Sequence, residues 1–434
     1  MKDKLRKILE FILRFFAVAI MNKYKPEIVA ITGSVGKTST KEAIYTVLAT
    51  TYNVRTNYKN YNNEIGIPLT IIGKETGGRS ALKWLGVFLR AIRLLIIKDR
   101  KFPDIFILEL GADHPGDIKY LVGFLPIKIA VVTAVAPTHL EFFETVDRVA
   151  KEKSNLVKVL PKSGYAVLNM DDHLVYSMKE KTNGRVVTYG LASPADFKAA
   201  EIAVSHDIDY KDISTIQGIS FKLLYKGSTV PVLLPKVLGE HLVYTALAAI
   251  AVGIIYDLNL HTIIDSLKNY EPPKGRMHII PGIKNTLIID DTYNSSPLAV
   301  TKALYQLSRI NLDDRHKKYA VLGDMLELGQ YSEQAHKEVG ESVARYKIDY
   351  LIAVGERSRD TMRAAIKKGL SKDNCFSFAD AAEAGIFLQN RIEQGDLILV
   401  KGSQGMRMER IVKELMVEPQ KAQELLVRQG KDWT

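Results

Sequence analysis

Cysteine is almost missing from this chain: of 434 residues, only Cys375 carries a thiol. An intrachain disulfide is therefore excluded, as is a metal centre built on several thiolates. A lone cysteine of this kind reads as a small buried hydrophobe, and the cytosol is the simplest compartment for the chain. No aromatic-and-basic RNA motif, zinc-finger spacing or sustained heptad occurs, so no nucleic-acid partner is expected. No internal repeat is found, and the uninterrupted apolar runs are too short to span a bilayer.

What is present is a globular composition, 47% apolar and 25% charged, over a length that suits two or three domains. The formal net charge of +11 suits an anionic partner such as a nucleotide, a sugar phosphate or a membrane surface. The opening stretch KDKLRKILEFILRFFAVAIMNKYK has a basic start and an Ala17-Val18-Ala19 that imitates a signal peptide. However, Glu10 and Arg14 interrupt it, and a cut after Ala19 would leave the first strand almost at the new terminus. Leu5, Ile8, Leu9, Ile12, Phe15, Phe16 and Ile20 follow helical spacing. Two readings stand: a helix packed on its own domain, or an amphipathic helix whose residues 1–22 touch the inner face of the membrane. The stretch ALKWLGVFLRAIRLLIIKDRK, residues 81–101, is likewise apolar and basic.

From residue 27 a βαβ rhythm sets in. EIVAIT, DIFILEL, KIAVVTAV and GYAVLN read as buried parallel strands, with a helix from about Thr38 to Thr50 after the first. Between about 185 and 235, alternating segments such as GISFKLLY and STVPVLLP predict antiparallel strands, followed by a long helix over 239–256. NYEPPKGRMHII, with two prolines and a glycine, reads as an interdomain hinge. A second series of strands then begins: TLIIDD, KYAVLGD, DYLIAVG and DLILVKGS. The expected class is α/β. A central P-loop-type, mostly parallel sheet domain with a β insertion (28–273) follows an N-terminal helix (1–27), and a C-terminal Rossmann-like α/β domain (274–434) completes the chain.

ITGSVGKTST, residues 31–40, has the strand–glycine turn–helix context of a phosphate cradle. Gly33 and Gly36 let backbone N–H groups approach an anion, and the following helix offers its positive end. Lys37 would reach the β and γ oxygens of a nucleotide and Thr38 would bind Mg²⁺. The usual G-x-x-x-x-G-K-[ST] pattern fails, because Ile31 stands where its first glycine belongs. Glu109 ends a hydrophobic strand, where a carboxylate can hold Mg²⁺ directly or through water. Asp291 and Asn294 lie in a segment whose Asp, Asn, Ser and Pro would also serve an ordinary turn.

The short T-G-[ST]-x-G-K-[ST] form resembles the Mur ligase family, ATP-dependent amide ligases of peptidoglycan synthesis. NYNNEIGIPLT, LELGADHPGDI, THLEFF, DDTYNSSPLAV, LGDMLELG, HKEVG and KGSQGMRME also look like that family's segments, over roughly residues 28–410. The last group points to the MurF type. The resemblance implies a loop of Thr32, Gly33, Ser34, Val35, Gly36, Lys37, Thr38 and Ser39 that binds ATP. It implies metal ligands at Thr38, Glu109, His139 and Lys153, with Lys153 carbamylated by CO₂ and Lys151 as the fallback. It implies nucleotide contacts at Arg276, Asp291 and Asn294, and catalytic roles for Lys37, His139, Lys153 and Arg276. Two departures stand out. Lys153-Ser154-Asn155 replaces K-G-E, and Leu242 follows His241 where the family has asparagine.

The implied chemistry is ATP-driven activation of a carboxylate as an acyl phosphate, followed by attack of an amine. UDP-muramoyl peptide and D-Ala-D-Ala are the expected substrates, in a cytoplasmic monomer. The roughly 27 residues before the first strand leave no room for the UDP-sugar-binding domain expected at the front of a MurF-type chain. Two other functions stay open: a Mur-related ligase for another acid, such as a folyl or amino-acid polymer, and a membrane-associated P-loop regulatory protein.

Overall fold

The computed structural model describes residues 2–57, 61–138, 140–192, 194–204, 218–235, 237, 239–312 and 315–430. The first sheet contains β1 Glu27–Thr32, β2 Val54–Thr56, β3 Ile105–Glu109, β4 Ile127–Val132, β5 Tyr165–Asn169, β6 Arg185–Gly190, β7 Phe197–Val204, β8 Ile219–Tyr225 and β9 Ser228–Leu234. Its order is β2-β3-β1-β4-β5-β6-β7-β8-β9. β1 lies between β3 and β4 and runs parallel to both, with Ile31 opposite Glu109 and Thr32 opposite Val132. Such strands are covered on both faces, which is why EIVAIT and IFILE are near-continuous apolar runs rather than alternating ones. From β1 the chain builds β2 and β3 on one side and β4 to β6 on the other, so a switch-point crevice opens at the C-terminal end of β1.

The helices of this region are α1 Lys2–Tyr24, α2 Lys37–Leu48, α3 Gly66–Ile72, α4 Ala81–Ile96, α5 Asp117–Val122, α6 Leu140–Phe143 and α7 Val146–Lys158. α1 packs on its own unit. Leu13, Ala17, Ile20 and Met21 enter the same core as Ile28, Phe106 and Leu108. Tyr24 stacks on Phe102 with ring centroids 4.0 Å apart, and the Arg14 guanidinium lies over Tyr120 and Phe124. Among the described residues no helix is long and apolar enough to cross a membrane.

Two details differ from expectation. β6 continues the parallel series on β5, although the antiparallel character was expected to begin near residue 185. Its first three residues are less covered than its last three, which gives RVVTYG a mixed pattern. Farther along, β8 and β9 are neighbours joined by Lys226 and Gly227, both at positive φ, as a type I′ hairpin turn requires.

The second sheet contains β10 His278–Gly282, β11 Thr286–Asp291, β12 Lys318–Gly323, β13 Tyr350–Val354, β14 Cys375–Phe378 and β15 Leu397–Lys401, in the order β10-β11-β15-β12-β13-β14. All neighbours are parallel except the β10–β11 hairpin. Part of the stretch read as hinge is therefore strand β10, whose Pro281 is tolerated because the strand lies at the sheet edge. Helices cover both faces of this sheet, each over its own apolar cluster. The α/β class with two mostly parallel sheets stands as expected. By compactness the chain divides into Met1–Ala200 with Leu223–Val230 and Tyr244–Asn269, and Glu201–Lys222 with Pro231–Val243 and Tyr270–Thr434.

Candidate active site

The loop after β1 is shaped by two glycines and one threonine. Gly33 has φ 154° and Gly36 φ 83°. A Cβ on Gly33 would sit 1.9 Å from Thr133 Oγ1, so no other residue fits without moving β4's end. Thr133 Oγ1 donates to the Val35 carbonyl at 2.6 Å, and Ser34 N donates to the Ala134 carbonyl at 2.7 Å. The loop is thereby tied to the strand beside it. α2 starts at Lys37 with no side chain capping its N-terminus, which leaves its first N–H groups for an anion. Lys37 Nζ donates to the Gly33 carbonyl at 2.8 Å, across the loop it belongs to. Thr32 is buried and its hydroxyl donates to the Leu110 carbonyl, so it braces the strand end, and Ser39 is buried in the first turn of α2.

Thr38 Oγ1 donates to Glu109 Oε2 at 2.9 Å. Glu109 is only 7% exposed, and its backbone is clamped by Asn57: N donates to Asn57 Oδ1, and Asn57 Nδ2 donates to the Glu109 carbonyl. Asn57 is missed by sequence reasoning because it precedes the quoted motif. Thr133 is missed because it hides inside an apolar strand segment. Beside these groups, a cleft of about 350 Å³ is lined by Arg6, Asn62, Asn63, Asp113, His114 and Asp117, among others. It joins the Asn-rich segment to the stretch after Glu109, two motifs some fifty residues apart in the chain.

α7 explains the two lysines. Thr145 caps it by accepting from Arg148 N, and Val149, Lys153, Leu156 and Val157 share its buried face. Lys153 is 3% exposed, whereas Lys151 points to solvent. Burial pushes the Lys153 ammonium down to about 7, nearby Lys37 adds to the drop, and Glu152 and Asp113 oppose it. A side chain held close to neutral is the form that can react with CO₂. Among the described residues no three His, Cys, Asp or Glu side chains converge as a metal cluster. His139 lies outside the described residues. The oxygens of Thr38 and buried Glu109 are the donor type Mg²⁺ takes, so this part of the expected set fits such an ion.

In the second unit, the C-terminal ends of β11 and β15 gather another cluster. Buried Lys401 bonds Asp291 Oδ2 at 2.7 Å and the Asn294 carbonyl at 2.9 Å. Asn294 Oδ1 accepts from Ser295 N. The Arg276 guanidinium lies 4.2 Å from the centroid of Tyr293, with its Nε buried and without a hydrogen-bond partner among the described residues. Asp290, fully covered, is pushed up to about 6 by burial, against hydrogen bonds from Thr292. Burial lowers His241 to about 4, so it is neutral at pH 7. Lys401 is a functional candidate that sequence reasoning did not single out, although it opens the quoted KGSQGMRME. The other quoted motifs interlock: Leu326 N donates to Ser403 Oγ, and Met325 N to His336 Nε2. A larger groove of about 890 Å³ lies at the opposite strand ends of this sheet, near Lys317, Tyr350 and Asp396, away from these residues.

A parallel sheet with a phosphate-type loop at its switch point, followed by a second α/β unit, defines a class of two-unit nucleotide-dependent enzymes. The chain belongs to the Mur ligase family: residues 31–81 and 92–253 match the Mur ligase middle domain, and 275–404 match the Mur ligase, glutamate ligase domain. It is similar to UDP-N-acetylmuramoyl-tripeptide--D-alanyl-D-alanine ligase of Bacillus subtilis, 29% identical over 94% of this chain and 79% of that protein. The enzyme of the same name from Escherichia coli is 30% identical over 92% of this chain and 79% of its own length. The crystal structure of MurF from Acinetobacter baumannii superimposes with a TM-score of 0.76 at 26% identity, covering 93% of this chain and 79% of that one. As a family member with such relatives, the chain is an ATP-dependent ligase of peptidoglycan precursor synthesis.

Proposed function

We propose that this enzyme joins D-alanyl-D-alanine to a UDP-N-acetylmuramoyl-tripeptide in the cytoplasm, through an acyl phosphate. The uncapped start of α2, with Lys37 and the Thr38–Glu109 pair at its mouth, is the observation that carries this reading. The backbone N–H groups of residues 35–38 receive the nucleotide's phosphates, and Lys37 exchanges the Gly33 carbonyl for a phosphate oxygen. A carboxylate oxygen of the acid then attacks the γ phosphorus. That O–P bond forms as the bond to the β-phosphate oxygen breaks, and ADP leaves. The amine attacks the acyl carbon, the C–O bond breaks, and phosphate departs with one oxygen from the acid while the amine loses a proton.

Thr38, Glu109, His139 and carbamylated Lys153 would hold Mg²⁺, which when bound neutralises charge on the transferring phosphoryl group. Arg276, Asp291 and Asn294 serve the nucleotide, Arg276 as a planar cation already oriented by Tyr293. The cleft lined by Asn62, Asn63, Asp113 and His114 receives the reacting carboxylate and amine. Water must stay out, because an acyl phosphate hydrolyses. Isotope tracing tests the chemistry. An acid labelled with ¹⁸O in its carboxylate should deliver one label to phosphate for each amide formed, and unlabelled phosphate during product formation would sink the mechanism.

A further inference from the structure

α4 is apolar on two opposite faces. Val87, Ala91 and Leu94 are buried in the core. Leu82, Leu85, Leu89, Ile92 and Ile96 are exposed, Leu82 by 80% and Ile96 by 75%. At roughly 100° per residue these five fall in one narrow stripe, on the far side of the helix from the buried three. α1 repeats the design: Leu13, Ala17 and Ile20 face the core, while Leu5, Ile8, Phe11 and Phe15 are exposed, Phe11 by 72%. The two helices lie side by side. Phe16 meets Phe88 at 6.2 Å between centroids, and Lys23 Nζ donates to the Leu94 and Leu95 carbonyls at 2.9 Å. Both inner stripes feed one core cluster, so both outer stripes face away from it.

The excess positive charge of the chain is concentrated on the same two segments. Residues 2–25 and 79–101 contain fourteen of the 60 Lys and Arg but only three of the 49 Asp and Glu. They carry the whole net charge of +11, and the other residues are balanced. The one acid of the second segment, Asp99, is paired with Arg90 at 2.7 Å, while Lys83, Arg93, Lys98 and Arg100 are exposed around the apolar stripe. The family match begins at residue 31 and skips 82–91, so the centre of this face lies outside the matched residues. A second copy of the chain is a poor occupant, because a symmetric pairing would bring the excess positive charge against itself.

We propose that the α1–α4 face rests on an anionic lipid surface, its leucine, isoleucine and phenylalanine side chains in the headgroup boundary and its lysines and arginines on lipid phosphates. Neither helix spans. The proposal is independent of the ligase substrates. The full chain should co-sediment with vesicles of phosphatidylcholine plus phosphatidylglycerol and much less with phosphatidylcholine alone, and high salt should weaken the binding. Leu85→Glu/Leu89→Glu should lower the apparent affinity at least about tenfold, and Arg93→Glu/Lys98→Glu by about tenfold or more. Both variants should keep the wild-type melting temperature and soluble turnover. The proposal is overturned if the wild-type chain ignores anionic vesicles, if it binds neutral and anionic vesicles alike, or if it forms a dimer that Leu85→Glu/Leu89→Glu dissociates without any vesicle binding.

Discussion

Lys153 sits in the wrong place for an ordinary lysine. One turn away on either side along α7 it meets Val149, Ala150, Leu156 and Val157, and burial together with Lys37 holds it to about 7 instead of 10.5. In the unfolded chain it stays protonated up to its usual value. Between pH 7 and 10.5 the unfolded state thus binds more protons, and stability rises with pH; below 7 the folded protein carries the full cost of burying the charge. Lys153→Met should therefore raise the melting temperature in CO₂-free buffer, by roughly 2–4 °C for each kcal/mol relieved, with the largest gain below neutrality. The gain should shrink as pH approaches the usual lysine value, while turnover falls at least about 100-fold. A gain that grew with pH would mean that the amine is not desolvated. From sequence alone, residues 151 and 153 could be ranked only by alignment to a motif. The heptad-like spacing of Val149, Lys153 and Leu156 is what places one inside and the other out, and it became decisive only once α7 had a core to face.

The glycine loop was legible as an element, because an apolar strand, two glycines and a following helix leave few other conformations. Its tether was not: Thr133 stands about a hundred positions away, and only the parallel pairing of β1 with β4 brings it to Gly33. Gly33→Ala should cut nucleotide affinity at least about tenfold in titration calorimetry, because its Cβ would also lie 3.2 Å from the Ala134 backbone. Gly86→Ala in α4 is the matched control. Its Cβ would meet nothing within 4 Å, so affinity should hold and the helix should gain about 0.5–1 kcal/mol. Equal losses from both changes would refute the steric account. The strands missed from sequence, β2, β10 and β14, are only partly covered, so unlike the equally short β3, β5, β13 and β15 they lack the continuous apolar run of a buried strand.

For the molecule as a whole, two compact units and a phosphate loop would serve a switch as well as a ligase. Turnover separates them. Phosphate release should rise at least about tenfold above background only when acid and amine are both supplied, since the acyl phosphate is consumed by the second substrate. Release from ATP alone at the full rate, read with a coupled phosphate assay, would favour a regulatory hydrolase. The positive net charge, read from composition as a general taste for anions, is a property of two helices and their flanks. Composition cannot reveal that, because it discards position.

The bond from Lys37 to the Gly33 carbonyl means that the cradle arrives already folded around a placeholder. Nucleotide capture then becomes a swap of one acceptor for another, with little disorder to quench, so the association rate should depend on diffusion and electrostatic attraction more than on any rearrangement of the loop.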